Sequence, residues 1–232
     1  KDYTDVIVGS EDLMSSIGYD MDLLASTLDS DPGIGNTELA VLMSRSYINN
    51  VKAHPKEISG AGSSVILTSR LGEFSSRLDA WVDAVMAIKD KDAAVKARDG
   101  AVRFDINGRR PGPAGFAAVS GASPSADLYD FIGIYTESLQ QDTPERLLAR
   151  QRGEELMAFL SAGLFADFDH TGVTTLGYDF SRTHGLAIHV PPVVRDYSYQ
   201  DYQAWSIVKD ADLAFARDGK WKTFLDWLYS VK

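Results

Sequence analysis

No cysteine occurs among the 232 residues of this chain. That excludes a disulfide framework, a thiolate metal site and a thiol nucleophile supplied by the chain itself, while leaving its compartment open. Basic residues are few beside acidic ones: 23 Lys and Arg against 33 Asp and Glu give a net charge of −10 and a pI near 4.8. Affinity for phosphate needs clustered Lys and Arg, so nucleic acid is not expected as a partner. The excess acid reads either as a solvated surface, the simpler case, or as a site for basic substrates. No run approaches the roughly 18 apolar residues that span a bilayer, so no membrane span is expected. The first residues, Lys1-Asp2-Tyr3-Thr4-Asp5, have neither an initiator Met nor the character of a signal peptide, and read as a cleaved end with room for a leader upstream. What is present, 44% hydrophobic and 24% charged residues, is ordinary globular material for one large domain or two small ones.

Val6-Ile7-Val8, closed by Gly9, is a continuous β-branched run that fits a strand buried on both faces, as in a parallel sheet. Such a strand needs two neighbours, and the rest of the chain offers few, which predicts a missing N-terminal half. Leu23, Leu24 and Leu28 predict a short helix with Asp20 or Asp22 near its start. Thr37 reads as the cap of a helix carrying Leu39, Leu42, Met43 and Tyr47 on one face. After the break at Gly60-Ala61-Gly62, Val65-Ile66-Leu67 is a second strand. The spacing of Leu71, Phe74, Leu78, Trp81, Val82 and Val85 predicts a helix lying flat on a sheet. Alternating charge over 89–99 predicts a solvated helix or its frayed end, and 102–106 a strand. Residues 107–125, rich in Gly, Pro, Ser and Ala, are linker-like; Arg109-Arg110 there is either exposed loop or a site for an Arg-directed peptidase. Asp127 starts a helix through Leu128, Phe131, Ile132 and Tyr135. Thr143-Pro144 opens a long one through Leu147, Leu148, Leu156, Phe159 and Leu160. Residues 186–190 form a strand stopped by Pro191-Pro192, and helices near 199–208 and 221–231 close the chain. Strands alternating with helices argue for an α/β fold.

The residues that could carry chemistry are few. Of the four histidines, His54, His170, His184 and His189, only the last two are close in sequence, and no Cys or Glu accompanies them, so zinc is not expected. His189, alternating with apolar residues in a strand, reads as a packed or edge histidine. A Gly-x-Ser-x-Gly elbow is absent from the sequence. Asp167-Phe168-Asp169-His170-Thr171-Gly172 is like the opening of a calcium loop, but Tyr178 stands where the bidentate Glu is needed, so a turn is expected and calcium lacks a ligand motif. No cofactor is assigned. Gly9-Ser10-Glu11-Asp12 directly follows the first strand, where open α/β sheets place ligands. On spacing alone two readings stay open: a loop capped by Ser10 or Asp12 on nearby amides, or a ligand-facing loop.

Val8-Gly9-Ser10-Glu11-Asp12, followed by Gly18-Tyr19-Asp20, resembles a passage of the clostripain-like cysteine peptidases. There a strand ends in Val/Ala-Ser-Glu-Glu/Asp and leads to a Gly-Trp-x-Tyr-like element, Tyr19 standing for the usual Trp. Ser64-Val65-Ile66-Leu67-Thr68 before a long helix is similar to a later part of the family, as is Asp127-Leu128-Tyr129-Asp130-Phe131. So are a Gly-Leu-x-Ile-x-x-Pro strand from Gly185 to Pro191, and Leu213-Ala214-Phe215 with Trp221-Lys222-Thr223-Phe224-Leu225. The order agrees over nearly the whole chain. The resemblance implies a caspase/gingipain-like α/β fold, a mostly parallel sheet flanked by helices, of which this chain is the C-terminal part. It implies a His–Cys dyad in which the His activates the thiol and the thiolate attacks. Both residues fall upstream of Lys1, so no catalytic residue is assigned here. Substrate binding is implied for Ser10, Glu11, Asp12, Ile17, Gly18 and Tyr19, with Glu11 and Asp12 as acids for an Arg or Lys side chain. Ile17 stands where a further acid is expected and departs from that specificity.

The resulting expectation is the C-terminal, large chain of a secreted or cell-envelope bacterial cysteine endopeptidase that processes itself into chains remaining together. Residues 1–106 and 127–232 would belong to one α/β fold, with 107–126 a loop or insertion. Its partners would be an N-terminal chain carrying Cys and His, and a peptide or protein substrate. Family self-processing leaves the Cys on the larger fragment, whereas this chain begins past it. An unusual cleavage site, an incompletely represented chain or a relative without its nucleophile, hence a non-catalytic pseudo-peptidase or binding module, would each account for that.

Overall fold

A computed structural model describes residues 4–11, 14, 16–55, 61–103, 125–140, 143–173, 179–192 and 214–230. Helices and strands alternate: β1 (Val6–Gly9), α1 (Met21–Ser30), α2 (Asn36–Ala53), β2 (Gly62–Leu67), α3 (Leu71–Ile88), α4 (Asp92–Gly100), β3 (Ser125–Asp127), α5 (Leu128–Ser138), α6 (Pro144–Phe159), β4 (Phe165–His170), β5 (Ala187–His189), α7 (Ala214–Asp218) and α8 (Trp221–Tyr229). The α/β class predicted above is what the chain adopts. Expectations falling on Asp12, on 104–106, on the Gly/Pro-rich segment 107–124, on Tyr178 and on the helix near 199–208 lie outside the described residues. Among the described residues no helix is long and apolar enough to cross a membrane.

Side-chain caps set several helix starts. Asp20 accepts from Leu23 N at 2.9 Å, Asp127 from Asp130 N at 2.8 Å, and Thr143 from Arg146 N at 3.4 Å, with Pro144 in the first turn of α6. α2 differs from expectation: it starts at Asn36 behind an uncapped Gly35, and its buried stripe is Ala40, Ser44, Tyr47, Ile48 and Val51. α3 buries the predicted Phe74, Leu78, Trp81, Val82 and Val85, but it lies against α6 and α8 rather than flat on a sheet. The reason is aromatic: the Trp81 ring meets Tyr135 at 5.3 Å, Phe224 at 5.8 Å and Phe131 at 6.2 Å. Leu128, Phe131, Ile132 and Tyr135 of α5 are fully buried at helical spacing, each such side chain contributing about 1.5–3 kcal/mol. α4, expected as solvated, packs Ala93, Ala94 and Ala97 against α5 beneath its charges. Arg103 is buried and donates to the carbonyls of Val190 (2.6 Å) and Arg98; burial lowers its pKa to about 10, so it keeps its charge at neutral pH.

The strand directions depart from the mostly parallel sheet that the resemblance implied. β1-β2-β4 form one sheet and β3-β5 a second, and all three named pairings are antiparallel. Among the described residues β1 is an edge strand rather than a central one: it pairs with β2, and Ile7 is 44% exposed while Val6 and Val8 are half-buried. An apolar run alone cannot distinguish a strand covered on both faces from an edge strand covered on part of each.

The pairing assigns the faces of the first sheet. Val8, Val65 and Asp167 are opposite one another, as are Ser63 and Asp169. This face lies under α2, where Ser44 bonds Ser63 at 2.9 Å, Arg45 forks onto Asp167 and Lys52 meets Asp169 at 3.0 Å. Of the segment 167–172, expected as a turn, residues 167–170 instead belong to strand β4, where Asp167 and Asp169 alternate onto cations of α2. The opposite face carries Ile7, Ile66 and Phe165, and the last two pack on the main core.

Candidate functional site

At the end of β1 the chain turns through Ser10 and Glu11 onto the face that carries Phe168. The loop before β5 closes over the same corner. Gly185 has φ +85°, and a Cβ there would meet Phe168 Cδ2 at 2.7 Å and Ser64 Cβ at 3.0 Å, so only glycine fits. Ser64 Oγ donates to Gly185 O at 2.9 Å, and Gly185 N donates to Glu11 Oε2 at 2.9 Å. Glu11 also hydrogen-bonds Asp127, the fully buried cap of α5. Asp127 in turn accepts from Asp130 N at 2.8 Å and from His184 N at 2.5 Å.

Three segments distant in sequence therefore converge: the loop after β1, the start of α5 and residues 182–185. Aromatic rings line the junction. His184 stacks on Tyr129 at 3.8 Å and faces Phe168 at 6.2 Å, with His170 beyond it at 5.7 Å from Phe168. Arg182 forks onto Asp130 at 2.7–3.0 Å and donates to Gly100 O.

Burial controls the titration of this corner. It pushes the Asp127 carboxyl upward against the bonds from Glu11, Asp130 N and His184 N. It also raises Asp130, the Val102 N–H and Arg182 offsetting only part of the effect. His170 is held below the usual imidazole value by burial, with Asp169 opposing. His184 Nδ1 lies 3.0 Å from Arg182 O, and a carbonyl can only accept, so that nitrogen is the donor. His170 is the reverse, its Nδ1 accepting from Gly172 N at 2.9 Å. The corner holds two carboxyls in contact, two imidazoles and an aromatic surface; the thiol of a cysteine peptidase is not in this chain. Among the described residues no cluster of three His, Asp or Glu side chains could hold a metal ion.

The predicted substrate-binding residues divide. Glu11 reaches this corner, with Ser10 preceding it in the loop after β1. Ile17 and Tyr19 pack instead against Tyr47, Ile48, Val51 and Ala61, the Tyr19 and Tyr47 rings 6.0 Å apart. Gly18, with φ +65°, accepts from Asn50 Nδ2 at 3.4 Å. Asp12 lies outside the described residues. Sequence reasoning gave Asp127 only a helix-capping part and no part to Asp130, Arg182 or His184. The Asp127–Asp130 spacing marks a helix start, but nothing local joins it to a glutamate before α1.

No family model matches the chain, and no curated protein matches it. Among solved structures its fold is similar to that of a secreted C11 cysteine protease from Bacteroides thetaiotaomicron, determined in complex with an irreversible peptide inhibitor. The TM-score is 0.50 at 13% identity, over 96% of this chain and 53% of that one. The chain thus spans about half the length of that protease, and shares with it a caspase-like mixed α/β fold.

Proposed function

We propose that this chain is the C-terminal part of a clostripain-like cysteine endopeptidase whose Cys and His lie on a preceding chain. It supplies scaffold and, through Ser10, Glu11, Asp12, Ile17, Gly18 and Tyr19, part of the S1 wall. The observation that carries the reading is the open edge of β1 within this fold. Ile7 shares a face with Ile66 and Phe165, which pack on the core, yet Ile7 is 44% exposed, and Met21, Leu23 and Leu28 of α1 are exposed at 66%, 39% and 44%. An apolar edge strand is a template for pairing, and a companion chain of the same precursor would cover it. Secretion and self-processing into two associated chains belong to the same proposal. Intact mass of the natively purified protein tests it: a second chain containing Cys and His is expected. Purification at the mass of this chain alone, with a cooperative unfolding transition, would refute it.

One observation favours a second reading, a pseudo-peptidase or binding module of the same fold. Glu11, the acid proposed for a basic substrate side chain, spends its carboxyl on Gly185 and Asp127. The coding sequence ahead of Lys1 separates the two: His-Gly and Asp-x-Cys support the peptidase, and their absence supports the pseudo-enzyme.

A further inference from the structure

We propose that Glu11 is a positioning residue whose carboxyl, protonated at Oε1, latches the loop after β1 onto Asp127 and Gly185. The latch makes the order of that loop depend on pH. It bears on the loop assigned above to the S1 wall, but does not require the peptidase reading.

The assignment of the proton follows from counting donors. Asp127 has no solvent exposure, and its Oδ1 and Oδ2 accept from the main-chain N–H groups of Asp130 and His184 at 2.8 and 2.5 Å. Two N–H donors, one at the first turn of α5, favour the carboxylate form of Asp127. Glu11 Oε2 is likewise taken by Gly185 N at 2.9 Å, which leaves its buried Oε1 for the contact with Asp127. Two carboxyls in hydrogen-bond contact need a proton between them, because two buried carboxylates repel. With three of the four oxygens already receiving N–H groups, the fourth, Glu11 Oε1, carries the proton and donates it to Asp127.

Among the described residues, the neighbouring cationic and hydroxyl groups are directed elsewhere. Arg182 is committed to Asp130 and to Gly100 O. His184 turns its Nδ1 to Arg182 O and its ring face to Tyr129. From β2, Ser64 gives its hydroxyl to Gly185 O; on β4, His170 receives Gly172 N. Burial raises the Asp127 carboxyl, but the bond from Glu11 acts on it downward, the direction expected when Glu11 holds the proton. A group whose folded pKa lies above its unfolded one stabilises below the unfolded value and loses that contribution as pH rises through the folded value. The latch therefore holds in acid and releases in alkali, freeing Glu11 from the corner.

Substitution at Glu11 tests this in the assembled protein, with amide hydrogen exchange of Gly185 as readout, corrected for the intrinsic pH dependence of exchange. In the wild type, protection of Gly185 should fall about tenfold or more once the proton is lost, the effect of one unit or more of shift. Glu11→Gln places an NH₂ where the O–H was and keeps a carbonyl for Gly185 N. It should retain the protection and abolish its pH dependence. Glu11→Ala should lose protection at every pH. Asp127→Asn turns an NH₂ against a main-chain N–H and should also lose it. If Glu11→Gln matches Glu11→Ala, or if wild-type protection is pH-independent, the latch is wrong. Should the variants fail to fold, ¹³C titration of the wild-type Glu11 carboxyl decides: release above the ordinary carboxylate range supports the latch, and titration within it overturns it. Loss of the peptidase reading leaves these outcomes unchanged, since none depends on cleavage.

Discussion

Gly185 is held with its backbone in the left-handed region and with Phe168 and Ser64 filling the space a Cβ would need. Gly185→Ala adds left-handed strain of about 1–2 kcal/mol to overpacking of about 1–3 kcal/mol. The expected loss is roughly 2–5 kcal/mol, read as a lower urea midpoint at unchanged m-value. His170 makes a second prediction at this scale. Burial depresses its pKa from 6.5, so the fold favours the neutral ring. Its contribution is complete above 6.5 and is lost as pH falls through the depressed folded value. A protonated ring would also turn an N–H toward Gly172 N. His170→Asn keeps an acceptor for that amide without titrating, so stability measured from neutral to acid pH should fall less steeply than in the wild type. Of this corner, Glu11 and Gly185 each stood in a motif read from the sequence. The bond from Gly185 to Glu11 was not, because the two lie 174 residues apart and only the folded chain joins them.

Helices with a one-sided apolar period and a capping side chain were the legible elements. Asp20, Asp127 and Thr143 begin α1, α5 and α6 as their residue types predict, and the apolar spacing of α3 and α5 is the spacing of their buried faces. Strands were harder. β4 hides behind Asp167 and Asp169, whose alternation is visible but whose cations, Arg45 and Lys52, come from a distant helix. β1 showed its apolar character without its direction, since antiparallel pairing with β2 depends on how α1 and α2 return the chain. Close helix crossings leave a clearer mark. Gly153 of α6 faces Thr136 and Trp81, and a Cβ there would lie 2.7 Å from Thr136 Oγ1 and 3.2 Å from both Trp81 Nε1 and Ile132 Cγ2. Gly153→Ala gains up to about 1 kcal/mol of helix propensity. It must force apart α3, α5 and α6, at about 1–3 kcal/mol for overpacking. Net destabilisation is expected in thermal unfolding; a higher Tm would show that the three helices yield there.

For the whole molecule, fold class was readable because alternating strand and helix signals and an ordered set of weak motifs pointed the same way. The likeness to a C11 protease at 13% identity supports that fold and goes no further on its own. The core joins both sides of the 104–124 segment, with Leu78 and Trp81 of α3 packed beside Phe131 of α5 and Phe224 of α8. Among the described residues, Ile7 of the edge strand β1 and Met21, Leu23 and Leu28 of α1 are exposed apolar side chains. On the function proposed above, the nucleophile lies on another chain. The direct measurement is mass spectrometry of the natively purified protein after treatment with a thiol-reactive peptide inhibitor. The predicted result is a peptide adduct on a cysteine of a companion chain, with the 25.4 kDa chain unmodified. Proteolytic activity from the 25.4 kDa chain alone, with no companion and no adduct, would contradict it.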